Sequence, residues 1–222
     1  MEAGIPLGVT FSFLITSPIV NEAAFAILWA SFGWKVAAAY TIAGVAIGVI
    51  SGLLLGRLHA ERYLEPGVMD GEAFSKMPPD MNWKSRLLFA GSQTGMIVRR
   101  IWIFLLIGIG IGAALHGWAP EGFLARVAGK EQPLGVFIAV LCGVPLYANA
   151  PGTIPIAEAL IGKGVGLGTA LAFMMSVTAL SLPELVLLRK VMKPRLLAVF
   201  VATATTGVLL VGLLFNAFLS VP

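Results

Sequence analysis

Six apolar stretches, separated by more polar intervals, run along this chain: Leu7 to Phe32, Val36 to Gly56, Ile101 to Leu115, Leu134 to Ala150, Val165 to Leu188 and Leu196 to Leu219. Most of them reach the ~20 residues that a helix needs to cross the hydrocarbon core of a bilayer. The pattern predicts an all-α polytopic membrane protein.

Composition agrees. Of 222 residues 58% are hydrophobic and 12% charged, about half the charged fraction of an ordinary soluble domain (roughly 25%), so water cannot be the main solvent of this surface. The 26 glycines and 13 prolines suit helices that approach one another closely and break where they line a cavity. Cys142 is the only cysteine, so no intrachain disulfide can form. Only Glu2 precedes the first apolar run. Without a basic leader there, a cleaved signal peptide is not expected.

Charge placement then supplies orientation. Arg57, Arg62, Lys76, Lys84, Arg86, Arg99 and Arg100 lie in or beside one linker, and Arg189, Lys190, Lys193 and Arg195 lie between the last two spans. The positive-inside rule makes both connections cytoplasmic. Lys35, Arg126, Lys130 and Lys163 remain for the other side. The net charge of +4 is explained by this asymmetry, and no nucleic-acid partner is needed. The linker from His59 to Val98 also holds five acids and Pro66, Gly67, Pro78 and Pro79. Its last part, Trp83 to Val98, is expected to lie as an amphipathic helix on the cytoplasmic leaflet.

Shifted by 160 positions, the chain matches itself at Gly4, Leu7, Gly8 and Phe13 against Gly164, Leu167, Gly168 and Phe173, and at Gly52-Leu-Leu54 against Gly212-Leu-Leu214. With both basic connections inside, the first copy starts inside and the second outside, the inverted-repeat arrangement of many secondary transporters. The segment 134–161 must then begin and end on one side. It carries Pro145, Pro151 and Pro155 around a polar centre and is expected to be a re-entrant hairpin with its tip at Asn149 to Gly152. The expected organisation is a first copy over 1–58, a cytoplasmic linker over 59–98 and a second copy over 99–222. It has about five full crossings besides the hairpin, with the C-terminus outside.

Several segments resemble the organoarsenical permease (ArsP-type) family of predicted permeases: Cys142-Gly-Val-Pro145, Pro155-Ile-Ala-Glu-Ala-Leu160, Gly164 through Phe173, and Ser181-Leu-Pro-Glu184 ahead of Leu188-Arg-Lys190. The first-copy counterpart is Gly4-Ile-Pro-Leu-Gly8 through Ser17-Pro-Ile-Val-Asn-Glu22. The resemblance implies a multi-pass permease of the cell membrane, with trivalent organoarsenicals as the substrate of the best-known branch. Members of that family carry a further span and hairpin ahead of the first copy. The chain is accordingly expected to be an N-terminally truncated fragment or a reduced member of the family, with a homo-oligomer or a missing N-terminal partner chain as its expected protein partners.

Three acids fall inside the apolar stretches or the expected hairpin, Glu22, Glu184 and Glu158, with no basic residue in those segments. An ionised carboxylate near the bilayer centre costs at least ~2.5 kcal/mol on insertion scales, so such groups face a cavity, pair or stay protonated. Glu22 follows Pro18 and Asn21; Glu184 follows Ser181 and Pro183. Either acid can bind a proton or cation beside a broken helix, or can cap the next half-helix. Cys142 is a candidate soft ligand for a trivalent metalloid or metal, with a small buried hydrophobe as the alternative. Pro145, Tyr147 and Asn149 complete the candidate pathway at the hairpin. No cofactor is expected. Met174 and Met175 read as core rather than as a metal ladder, and Trp29, Trp34, Trp102 and Trp118 as an interfacial belt.

His59 and His116 stand at span ends, and the HExxH, P-loop, dinucleotide and helix-turn-helix motifs are absent. An enzyme is therefore not expected. Two readings stay open: a permease for a small solute, and a non-transporting membrane subunit that needs a partner.

Overall fold

The structure, a computed structural model, describes residues 6–57, 63–64, 82–92, 94–95, 99, 102, 132–189 and 191–219. The span expected at Ile101–Leu115 and most of the linker lie outside them.

The first unit is α1 (Leu7–Ile19), α2 (Glu22–Phe32) and α3 (Trp34–Arg57). Pro18, in the last turn of α1, has no N–H for the carbonyl one turn back. The helix stops at Val20, Asn21 turns extended, and the Asn21 side chain accepts from the Ala24 amide at 2.8 Å to start α2. The two helices meet at a 44° bend. Gly33 then takes φ 84°, a left-handed conformation open to glycine at little cost, and the chain re-enters at once as α3.

The second part holds α4 (Pro133–Gly143), α5 (Ala150–Gly162), α6 (Leu167–Ala179), α7 (Leu182–Leu188) and α8 (Pro194–Phe218). All 13 residues of α6 are buried, which makes it the central helix. Among the described residues α3, α6 with α7, and α8 are long and apolar enough to cross a membrane, and the bent pair α1–α2 would make a fourth span.

The 160-residue offset reappears in the helices. Adding 160 to the first residues of α1, α2 and α3 (Leu7, Glu22, Trp34) gives those of α6, α7 and α8 (Leu167, Leu182, Pro194). Packing repeats too. A Cβ on Gly8 would come within 2.7 Å of the Gly52 carbonyl oxygen, and one on the equivalent Gly168 would collide with the Gly212 carbonyl. In both units, glycine lets antiparallel helix backbones approach to contact distance. Ile47 packs on Gly207, the residue 160 positions later. α6 and α8 are further joined by the buried Asn216, whose Oδ1 accepts from the Thr169 amide at 3.2 Å while its Nδ2 donates to Thr169 Oγ1 at 2.8 Å.

α4 runs alongside α6 in the same direction. The Val140 carbonyl accepts from Ser176 Oγ at 2.6 Å, and the Val144 carbonyl from the Leu182 amide at 2.8 Å. α5 returns along α6, ending where the Val165 amide donates to the Leu160 carbonyl at 3.0 Å. The two arms thus form a hairpin whose turn lies beside the α6–α7 break. The non-helical turn is 144–149, earlier than the expected tip at Asn149 to Gly152. Pro145 blocks continuation of α4, whereas Pro151 sits in the first turn of α5, where a missing N–H costs nothing, and Asn149 caps that turn.

The two basic connections meet at one end of the molecule: Leu64 and Met192 form an antiparallel bridge, and the Lys193 amide donates to the Tyr63 carbonyl at 2.9 Å. Residues 83–92 are helical, with Trp83, Leu87 and Leu88 exposed. Met174 and Met175 are fully buried in the core, while Trp29 and Trp34 are exposed.

Candidate functional site

Three chain interruptions converge on one cleft of about 570 Å³. Ser17, Pro18 and Asn21 come from the α1–α2 break, Tyr147, Ala148 and Asn149 from the hairpin turn, and Thr178, Glu184 and Leu187 from either side of the α6–α7 break. The first turns of α2, α5 and α7 therefore adjoin the cleft. Those of α2 and α5 are closed by asparagine, Asn21 to the Ala24 amide and Asn149 to the Gly152 amide, each at 2.8 Å. Their amides and dipoles give the walls a partly positive character, against which Glu184 supplies the only carboxylate of the described lining.

Glu184 is half-buried, and no lysine, arginine or histidine is among the described lining residues. Ser181, three residues earlier, is fully buried, and its hydroxyl has no partner in hydrogen-bond range. Ser181-Leu-Pro-Glu184 has the spacing of a capping box, in which the serine hydroxyl accepts from the glutamate amide and the carboxylate returns to the serine amide. The structure forms neither bond: α7 has no side-chain cap. Glu184 lines the cleft rather than closing its own helix. Behind Thr178, the buried Tyr40 hydroxyl lies against the threonine without reaching good hydrogen-bond geometry. Thr178 itself donates to the Met174 and Met175 carbonyls at 3.0 and 3.1 Å.

Of the residues singled out in the sequence, the cleft brings together Asn21, Tyr147, Asn149 and Glu184; Ser181 is buried and does not line it. It does not gather the others. Glu22 is exposed because α2 packs through Ala24, Leu28 and Phe32, nearly the opposite face. Glu158 is exposed just off the packed face of α5 formed by Ala150, Thr153, Ile154 and Ala157. Pro145 shapes the hairpin turn without lining the cleft.

Cys142 is exposed and away from the cleft lining. α4 faces α6 through Val136, Val140 and Gly143, leaving Leu141 and Cys142 on its other side. The thiol is therefore neither a small buried hydrophobe nor a wall of the cleft. Among the described residues no three histidine, cysteine, aspartate or glutamate side chains gather as a metal site.

Ser17, Ala148, Thr178 and Leu187 line the cleft without having been singled out. For Thr178 the signal was present: it stands 160 residues after Pro18, so the repeat carries one cleft residue onto the other. The same offset carries Asn21, the N-cap of α2, onto Ser181, the N-cap residue of α7.

A family model described as "Predicted permease" (ArsP_1) matches residues 1–217. The chain is similar to UPF0718 protein MJ0584 of Methanocaldococcus jannaschii, 28% identical over 96 residues, which is 43% of this chain and 26% of that protein. It is also similar to UPF0718 protein YcgR of Bacillus subtilis, 36% identical over 73 residues, 33% of this chain and 25% of that protein. The matched segments thus span about a quarter of each relative's length. No solved structure matches.

Proposed function

From the premise that the chain belongs to the ArsP_1 family of predicted permeases, we propose that it translocates a small solute through the cleft between the two breaks and the hairpin turn. The convergence of the α1–α2 break, the 144–149 turn and the α6–α7 break on one cavity carries this reading. Non-helical backbone at membrane depth is tolerated where it lines a wet cavity, and broken helices around a central site are the hallmark of inverted-repeat transporters. The hairpin α4–α5 is the re-entrant element. The connections joined at Leu64 and Met192 are the cytoplasmic ones, and the two copies are inverted in the cell membrane.

The substrate class is a trivalent organoarsenical or a related soft metalloid species, supported by the family resemblance. The described lining mixes oxygen and amide groups (Ser17, Asn21, Tyr147, Asn149, Thr178, Glu184) with apolar walls (Pro18, Ala148, Leu187). It therefore selects by shape and hydrogen bonding, while the softest donor, Cys142, stands outside it.

Purified protein reconstituted alone into liposomes is expected to take up a trivalent methylarsenical faster than empty vesicles, and Asn149→Leu is expected to slow that uptake. Uptake that appears only when a second membrane protein is added would instead make the chain a subunit.

A further inference from the structure

The unformed capping box and the single carboxylate of the cleft bear on what drives the solute. Resting on the permease reading, we propose that Glu184 is a proton-binding site and that its proton is exchanged against solute as the cleft changes access.

Three observations converge on it. The first is position: Glu184 lies in the cleft, just beyond the break that separates α6 from α7. The second is its freedom. A glutamate at the third position after a serine N-cap has a structural partner ready to hand, the Ser181 amide, and Glu184 does not take it. Its cost of desolvation is thus not offset by the local cap, and Ser181, fully buried, is left with an unused hydroxyl. The third is the composition of its surroundings. From α1 the cleft receives Ser17 and Pro18, from the α1–α2 break Asn21, from the hairpin turn Tyr147, Ala148 and Asn149, from α6 Thr178 and from α7 Leu187. Among these described lining residues the one other titratable group is the Tyr147 phenol, and none is a cation that would hold the carboxylate ionised.

An acid in this setting changes charge by taking or releasing a proton, and a proton needs one carboxylate where a metal ion needs a shell of oxygens. Asn21 Oδ1 and Asn149 Oδ1 each already accept a backbone amide at 2.8 Å, which leaves one lone pair apiece. The chemistry balances without a co-reactant: the proton enters from water on one side, adds to a Glu184 carboxylate oxygen, and leaves to water on the other. The neutral side chain then faces the solute-free cleft, and the ionised one accompanies the solute-filled cleft.

Dicyclohexylcarbodiimide, which reacts with protonated carboxyls in apolar surroundings, tests proton binding without any solute. The full chain in lipid vesicles is expected to carry the adduct on Glu184 several-fold above Glu22 and Glu158, with a yield that falls as pH is raised and that sodium at constant pH leaves unchanged. Infrared difference spectra between acid and alkaline pH are expected to show a protonated-carboxyl band that Glu184→Gln removes. An adduct spread evenly over the three glutamates, or protection of Glu184 by sodium, would overturn the proposal. In the transport arm, uptake of a trivalent methylarsenical by wild type responds to an imposed pH gradient, and Glu184→Gln abolishes that response. A wild type that transports without any response to the gradient sinks the exchange. A wild type that does not move the probe sinks the transport reading, while the labelling and infrared results still decide the proton site.

Discussion

Ser181 and Glu184 stand at the N-cap and third positions of α7 and are not hydrogen-bonded to each other. The corresponding pair in the first unit, Asn21 and Ala24, is bonded at 2.8 Å. One copy of the repeat uses this position to close a helix, and the other leaves its acid facing the cleft. Ser181→Ala removes an unpartnered hydroxyl and no bond, so thermal unfolding in detergent is expected to shift by less than the equivalent of about 1 kcal/mol. A larger loss would show that the serine is bonded in the protein as it stands in lipid.

Asn21→Ala and Asn149→Ala each remove a working cap and are expected to cost about 1 kcal/mol of stability. Aspartate at either position keeps an acceptor oxygen and restores the cap. If the asparagines matter only as caps, Asn149→Asp also restores solute uptake; if the amide contacts the solute, stability returns and uptake does not. Thermal denaturation measured beside vesicle uptake separates the two.

Glycine at the helix crossings sets how close the spans come. Gly52→Val and Gly212→Val drive a side chain into an opposing helix and are expected to lower the yield of folded protein sharply, because overpacking a close crossing costs roughly 1–3 kcal/mol or more. Gly162→Ala meets nothing within 4 Å and is expected to be tolerated. Comparable elution profiles for all three in size-exclusion chromatography would argue against the crossings.

The exposed thiol of Cys142 predicts that Cys142→Ser changes stability by no more than about 0.5 kcal/mol and keeps resistance to a trivalent organoarsenical in a sensitive host. A drop in resistance at equal protein level would put the thiol back on the solute path.

Sidedness has a direct measurement. In a Cys142→Ala background, a cysteine at position 76 is expected to react with an impermeant maleimide only from the cytoplasm, and cysteines at positions 35 and 163 only from outside. Labelling of position 76 from outside would remove the inverted arrangement.

Hydropathy and local chemistry specify the solvent and the periodic plan: apolar runs of bilayer length, breaks marked by proline and asparagine, and an offset of 160 that the helix starts reproduce. These are local properties, written in hydropathy, in a missing N–H or in a side chain that reaches its own backbone. What a side chain faces is not local. Glu22 and Glu184 both read as intramembrane acids beside a break, yet the packed face of α2 turns one away while the α6–α7 break places the other in the cleft. Cys142 read as a buried thiol or ligand until the contact face of α4 put it outside. Asn216 stands in α8, and no sequence pattern singled it out. Packed against α6, it supplies the cap on the Thr169 amide that Gly166, lacking a side chain, cannot. Which of two helix faces is inside depends on the neighbour it packs against, and that neighbour, 47 residues away for Asn216 and Thr169, is chosen only when the helices assemble.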